Sequence, residues 1–389
     1  MEHDELAAWL RLTLTPGVGN ATARKLLHHF GLPQQVFAQS AAALRVCTSA
    51  AQSQALQTLP PALQPLLEKT WQWLQSSNAD LRKEIAPLGH PLYPAALLNS
   101  DDPPLLLYLM GATRFLDAQA PALTMRNCLA VVGSRNPTAQ GQDNAHAFAQ
   151  TLRASGLTIV SGLALGIDAA AHEGALQAAS PQDTTPATIA VVGTGLDRVY
   201  PSRHRELAHR IAAQGLLLSE YPLGTAPLAA HFPKRNRIIA GLCQGLLVVE
   251  AAPASGSLIT ARLAADQGRE VFAIPGSIHA PQSRGCHALI RQGATLVESA
   301  QDVLEDLHFS QPCIPAATTA DAAPTPDTAI DTAESPLLQA LAFDPVGLDT
   351  LVARTGLDTA SLWVQLLELE LSGQVARLPG GLFQRMALA

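Results

Sequence analysis

The chain has 389 residues, 48% of them hydrophobic and 15% charged, and a formal net charge of -7. That length holds two or three domains and a sizeable core, while a pI near 5.9 excludes a uniformly basic coat of the histone kind. Any nucleic acid must therefore bind through a local cationic patch set against a repulsive background.

In chain order, residues 6–30 read as two helices around Thr15-Pro16-Gly17-Val18-Gly19. Leu6, Leu10 and Leu14 form the first apolar face, and Ala23, Leu26, Leu27 and Phe30 the second; Gly31 stands where a helix-ending glycine belongs. Such a hairpin can aim backbone N–H groups at phosphates, and it is equally a common way of joining two helices. It has little basic support beyond Arg24 and Lys25. The opening MEHDELAAWLRL is acidic and lacks the basic region of a signal peptide. No apolar run approaches the roughly 18 residues of a membrane span, so no membrane partner is expected. Residues 33–86 continue as short helices rich in Ala, Gln and Leu. Residues 88–111 are proline-rich without helical period, a packed connector ending in a strand at 105–109.

From Cys128 onward the pattern is strand, glycine turn, helix, repeated. Strands are expected at 129–132, 157–160, 188–192, 216–219, 246–250, 270–274 and 295–297. Short apolar strands alternating with helices mean an α/β fold with a parallel sheet covered on both faces, whose ligands bind beyond the carboxyl ends of the strands. Four loops fall on that edge. Gly133-Ser134-Arg135 combines a close-approach glycine, a hydroxyl and a bidentate cation. The stretch beginning Ser161-Gly162 opens a helix carrying Asp168 and His172. Gly193-Thr194-Gly195 is the third, and Ser255-Gly256-Ser257, with Thr260 one turn on, is a helix start with free N–H groups.

Residues 231–241, HFPKRNRIIAG, bring Lys234, Arg235 and Arg237 together within this acidic chain. Pro233 suits the first position of a helix, whose N-terminal N–H groups and macrodipole attract anions. Phe232 offers a ring to a base. Lys234 and Arg237 share a helical face, whereas Arg235 points about 100° away and serves structure. The segment reads as a grip on a phosphate backbone; three exposed cations solvating a helix end is the other reading.

The usual catalytic fingerprints fail. Arg198 stands where the third glycine of GxGxxG belongs, no GxxxxGK[ST] occurs, and no GxSxG elbow accompanies Ser161, Asp168 and His172. No catalytic residue, metal site or cofactor is expected. Cys47, Cys128, Cys243, Cys286 and Cys313 form no CxxC and read as reduced, cytoplasmic cysteines. After a linker at 311–336, the tail shows helix, turn, helix and hairpin, a winged-helix order. Its second helix carries Asp358, Glu368 and Glu370 and no cation, so it reads as a protein-contact module or as a DNA module that has lost its affinity.

Gly133-Ser134-Arg135, SGLALGIDAAAH, GTGLDRVYP, SEYPLGTAPLAAHFPKRNRIIAGL and SGSLITARLAADQGREVFAIPG, in this order, resemble the DNA-processing protein DprA (Smf) family. The resemblance implies an extended Rossmann-like core over residues 87–310, a helical SAM-like or helix-hairpin-helix domain over 1–86 and a winged-helix domain over 337–389. It further implies a homodimer that binds single-stranded DNA in the bacterial cytoplasm, protects incoming DNA during natural transformation and loads the RecA recombinase. Carried over by motif, the DNA pocket holds Gly133, Ser134, Arg135, Gly162, Phe232, Lys234, Asn236, Arg237, Gly256, Ser257 and Thr260. The alternative is a nucleotide-handling Rossmann enzyme resembling the lonely-guy phosphoribohydrolases. Their PGGxGTxxE loop is not matched here, because Glu250 precedes the Ser255-Gly256-Ser257 turn. A third reading is a scaffold whose acidic tail and linker bind protein partners.

Overall fold

The computed structural model describes residues 1–116, 127–278, 280–309, 336–341 and 345–386. The chain opens with six helices: α1 (His3–Leu14), α2 (Asn20–Phe30), α3 (Pro33–Phe37), α4 (Ala41–Leu44), α5 (Ala50–Gln57) and α6 (Leu63–Gln75). Leu6 and Leu10 face inward as their spacing predicts, joined by Trp9 and Leu12. In the α1–α2 hairpin, Lys25 is exposed but Arg24 is not presented. Arg24 donates to Asp102 Oδ1 at 3.3 Å and to the carbonyls of Asp101 and Pro103, while Asn20 donates to Asp102 Oδ2. The hairpin is thus docked onto the connector.

The next element corrects the expectation of helix through residue 86. Strand β1 (Leu81–Pro87) pairs antiparallel with β2 (Leu106–Ala112), so both border the central sheet. Arg82, Lys83 and Glu84 run together at the start of β1 and mask the alternation of a strand. That is how an edge strand looks when charges discourage further pairing. The strand expected at 105–109 is present and extends to Ala112.

The core then alternates as predicted: β3 (Cys128–Val132), α7 (Ala139–Ala154), β4 (Thr158–Ser161), α8 (Ile167–Gln177), β5 (Thr188–Val191), α9 (Arg205–Gln214), β6 (Leu216–Ser219), α10 (His231–Leu242), β7 (Gly245–Val248), α11 (Gly256–Asp266), β8 (Glu270–Ala273), α12 (Arg284–Arg291), β9 (Thr295–Leu296) and α13 (Ala300–Asp306). The sheet order is β1-β2-β6-β5-β4-β3-β7-β8-β9, parallel from β6 to β9. Side chains alternate across it. Cys128, Ala130 and Val132 pack with Ile238 and Ile239 of α10 and Ala261 of α11. Leu129 and Val131 pack with Ala145, Phe148 and Leu152 of α7 and Val303 of α13. Successive strands step from β3 to β6, then the chain returns across the sheet through α10 and continues from β7 to β9. The order therefore reverses between β3 and β7, where sheets of this type open their ligand crevice.

The tail contains α14 (Pro336–Leu341), β10 (Val346–Gly347), α15 (Leu348–Thr355), α16 (Thr359–Leu371), β11 (Val375–Leu378) and β12 (Leu382–Arg385), with the three strands in the order β10-β12-β11. This is the expected winged helix around Leu351, Leu362, Leu366 and Phe383. The linker expected at 311–336 lies outside the described residues apart from Pro336, as does Cys313. Among the described residues the other four cysteines form no disulfide, and burial pushes Cys128 and Cys286 up to about 12. Among the described residues no helix is long and apolar enough to cross a membrane, and no group of three or more His, Cys, Asp and Glu could hold a metal ion.

Ser161, Asp168 and His172 are not wired as a catalytic set. Ser161 donates to Val131 O, while His172 Nδ1 pairs with Thr188 Oγ1 at 2.7 Å. His172 is fully buried, and burial lowers its pKa from 6.5 to about 3. With the folded-state value depressed, the unfolded chain takes up this proton first. The stability of the neutral ring is therefore intact above pH 6.5 and is lost as pH falls from there toward about 3. Urea unfolding across that window should show His172→Leu losing less stability on acidification than the parent chain, by about 1.4 kcal/mol per pH unit at most.

Candidate nucleic-acid interface

The loops after β3 and β7 and the first turns of α10 and α11 enclose a cleft of ≈ 700 Å³ at the switch point. Gly133 turns the chain out of β3, and no side chain fits there: a Cβ would lie 2.7 Å from Ile167 Cγ1 and 2.9 Å from Glu250 O. Beyond it, Ser134 Oγ accepts from the Asn136 N–H, and Arg135 extends into solvent. Its guanidinium carbon sits 5.7 Å from the centre of the Phe232 ring, and Tyr200 lies on the same ring at 5.6 Å. Cation and rings together form an exposed platform suited to a base and its phosphate.

Glu250 holds the β3 loop in place. It accepts from the Thr138 N–H at 2.9 Å and the Thr138 hydroxyl at 2.5 Å, and Gly141 abuts its carboxylate without room for a Cβ. Both carboxylate oxygens are thereby occupied, and burial raises the Glu250 pKa against these donors. On the facing side, Ser255 caps α11 by accepting from the Ser257 N–H. Gly256 is exposed with open space around it, so its backbone is what it offers; Ser257 and Thr260 line the inner wall.

The rotation of α10 departs from expectation. Phe232, Arg235, Asn236 and Ile239 face the cleft, at i, i+3, i+4 and i+7. Arg235 is 4% exposed. Its Nη1 donates to Val191 O at 2.5 Å. Burial lowers its pKa to about 10, with Asp168 opposing, so it stays charged at neutral pH. Asp168 is buried opposite, accepting from the Gly162 and Ala164 N–H groups. Burial raises the pKa of this carboxyl while Arg235 pulls it down. Gly162 lies behind the cleft as the close-approach residue for Arg235, since a Cβ there would clash with the guanidinium.

Lys234 and Arg237 do share a face, but it is the opposite one. Arg237 is paired with Glu220 and, at 3.5 Å, with Asp102; Lys234 lines a separate cavity of ≈ 160 Å³ with Glu220 and Tyr221. Of the site residues read from sequence, the structure therefore gathers Gly133, Ser134, Arg135, Phe232, Asn236, Gly256, Ser257 and Thr260 on one cleft, sets Gly162 behind it, and places Lys234 and Arg237 elsewhere. The helix also begins earlier than expected, with Pro233 third in α10, where its missing N–H still has no intrahelical acceptor to lose. Tyr200, Arg235 and Glu250 were not assigned to the site by sequence reasoning. Their signals were the aromatic at the end of GTGLDRVYP, the i+3 spacing of Arg235 from Phe232, and a carboxylate directly after an apolar strand.

Fold and site together define a doubly wound α/β protein with a cationic, aromatic switch-point cleft and an appended winged helix. The family described as DNA recombination-mediator protein A matches residues 84–308, and the DprA winged helix domain matches residues 318–381. The chain belongs to the DNA recombination-mediator protein A family. Protein Smf of Escherichia coli (strain K12) is 42% identical over 317 residues, covering 81% of this chain and 80% of that protein. DNA processing protein DprA of Streptococcus pneumoniae (strain ATCC BAA-255 / R6) is 48% identical over 242 residues, covering 61% and 80%. The X-ray structure of DNA processing protein A from Streptococcus pneumoniae superposes with a TM-score of 0.63 at 38% identity, covering 79% of this chain and 98% of that one.

Gly162→Ala should drive the guanidinium off Val191 O and destabilise the chain by about 1–3 kcal/mol, read as a lowered urea midpoint.

Proposed function

We propose that this chain is a non-catalytic single-stranded DNA binder that acts as a recombination mediator. The observation that carries the reading is the Arg135–Phe232–Tyr200 platform at the mouth of a cleft floored by the buried Arg235. Phosphate contacts to Arg135 supply affinity, the rings accept any base, and free N–H groups at the start of α11 receive a further phosphate. Sequence preference is therefore weak, and salt dependence steep. The names of its relatives, DNA processing proteins, agree with this chemistry. The same reading includes a homodimer in the bacterial cytoplasm that protects incoming DNA during natural transformation and hands it to RecA. Two short sites on one strand raise apparent affinity without new contacts.

The acidic α16 supports a protein-contact role for the tail. It exposes Trp363, Val364, Leu367 and Leu371 and carries no cation where a groove reader needs one. For a hydrolase of the lonely-guy kind, Glu250 is poorly placed: its carboxylate is consumed by Thr138.

Salt-titrated binding of short single-stranded and duplex oligonucleotides tests the proposal. The intact chain should favour the single strand. Arg135→Ala and Phe232→Ala should each weaken binding by about 1–3 kcal/mol. Lys234→Ala, whose side chain faces away from the cleft, should weaken it less than either. Unchanged affinity in both cleft variants rejects the assignment.

A further inference from the structure

The cleft is thinly charged for a polyanion. It is lined by two guanidiniums, Arg135 and Arg235, and the second is already opposed by the Asp168 carboxylate. The adjoining segment, residues 198–210, is the opposite. It holds Arg198, Arg203, Arg205 and Arg210 with His204 and His209, and Glu206 is its one acidic residue. All four arginines are exposed. Among the described residues Arg203, Arg205 and Arg210 make no ion pair, whereas Arg198 approaches Asp197 at 4.0 Å.

The segment is continuous with the cleft in space. Tyr200 lines the cleft itself. Arg135 stands on a saddle, because it also lines a neighbouring cavity of ≈ 460 Å³ with Arg203, His204 and Glu173. On the far side of the segment, Arg198, Arg205 and His209 share a cavity of ≈ 270 Å³ with Lys83. The carboxylate of that cavity, Asp197, is already bound by Lys69 at 2.6 Å and by the Gly224 N–H at 2.9 Å. Unpaired cations therefore run from the cleft mouth across the start of α9. An acidic protein that keeps exposed guanidiniums without partners leaves them to an anion from outside.

We propose that residues 198–210 form a second phosphate-contacting surface, joined to the cleft through Arg135, that takes the strand beyond the nucleotides seated in the cleft. This rests on the reading of the cleft as a single-strand site. It predicts a footprint longer than the cleft, with the outer nucleotides held by phosphate alone.

The test compares the full chain with Arg203→Ala/Arg205→Ala and with the charge-keeping Arg203→Lys/Arg205→Lys. The probes are oligothymidylates of about 6 nucleotides, to occupy the cleft alone, and about 30 nucleotides, to run well past it, over a salt series. Alanine replacement should leave the short probe within about twofold, weaken the long probe about tenfold at low salt, and reduce the long-probe salt slope by about 1.4. The lysine variant should retain long-probe affinity, which separates charge from folding. Equal losses on both probes, or no loss on the long one, overturn the inference while leaving the cleft reading intact. Failure of the unmutated chain to bind either probe overturns both.

Discussion

The arrangement of the site depends on a buried guanidinium. Arg235 lies under Gly162 with its Nη1 on Val191 O, and this contact sets the rotation of α10. Arg237, two residues on, is locked from the other side by Glu220 and Asp102. A helix held on one face by the Arg235 hydrogen bond to Val191 O and on the other by the Arg237–Glu220 ion pair has its roll fixed, so Phe232 and Asn236 are delivered to the cleft and Lys234 is kept from it. Burying a charge is costly unless it is paired and hydrogen-bonded. Asp168, in the first turn of α8 after β4, and the carbonyl of Val191, at the end of the neighbouring β5, meet that condition.

The same contacts tie the three regions of the first 309 residues together. Asp102 takes Arg24 from the helical hairpin and Arg237 from α10, so the connector joins the N-terminal helices to the core. Of the hairpin's basic residues, Arg24 is spent on architecture and Lys25 stays exposed. Glu250 does for the β3 loop what Asp168 does for the β4 loop: each accepts from backbone N–H groups and fixes a turn that lines or supports the cleft. The site is thus built from carboxylates turned inward and guanidiniums divided between floor and mouth.

Charge distribution is what would let an acidic chain meet a polyanion, as proposed. A run of exposed cations lies at Arg135 and along residues 198–210; other exposed cations, among them Lys25, Arg45, Arg262, Arg284 and Arg291, are scattered over the surface, while Arg24, Arg153 and Arg237 are paired with carboxylates within the fold. Aromatic groups are scarce, yet Phe232 and Tyr200 stand side by side. A surface of this kind favours contact with backbone and ring faces over readout of base edges.

Periodicity and glycine placement alone determined the doubly wound core, the winged-helix tail and the ligand edge, because short apolar strands alternating with helices admit few other solutions. The close-approach glycines were legible too, since their need for space is local. What only the tertiary structure decided was orientation. Lys234, Arg235 and Arg237 are equally cationic in the sequence, and helical phase separates them into faces without saying which face meets the ligand. That choice fell to Asp168, Glu220 and Asp102, which lie 67, 17 and 135 positions from the arginines they face. Strand β1 was hidden for a similar reason: its charged residues are acceptable at a sheet edge, and being at an edge is a property of the assembled sheet and not of the segment.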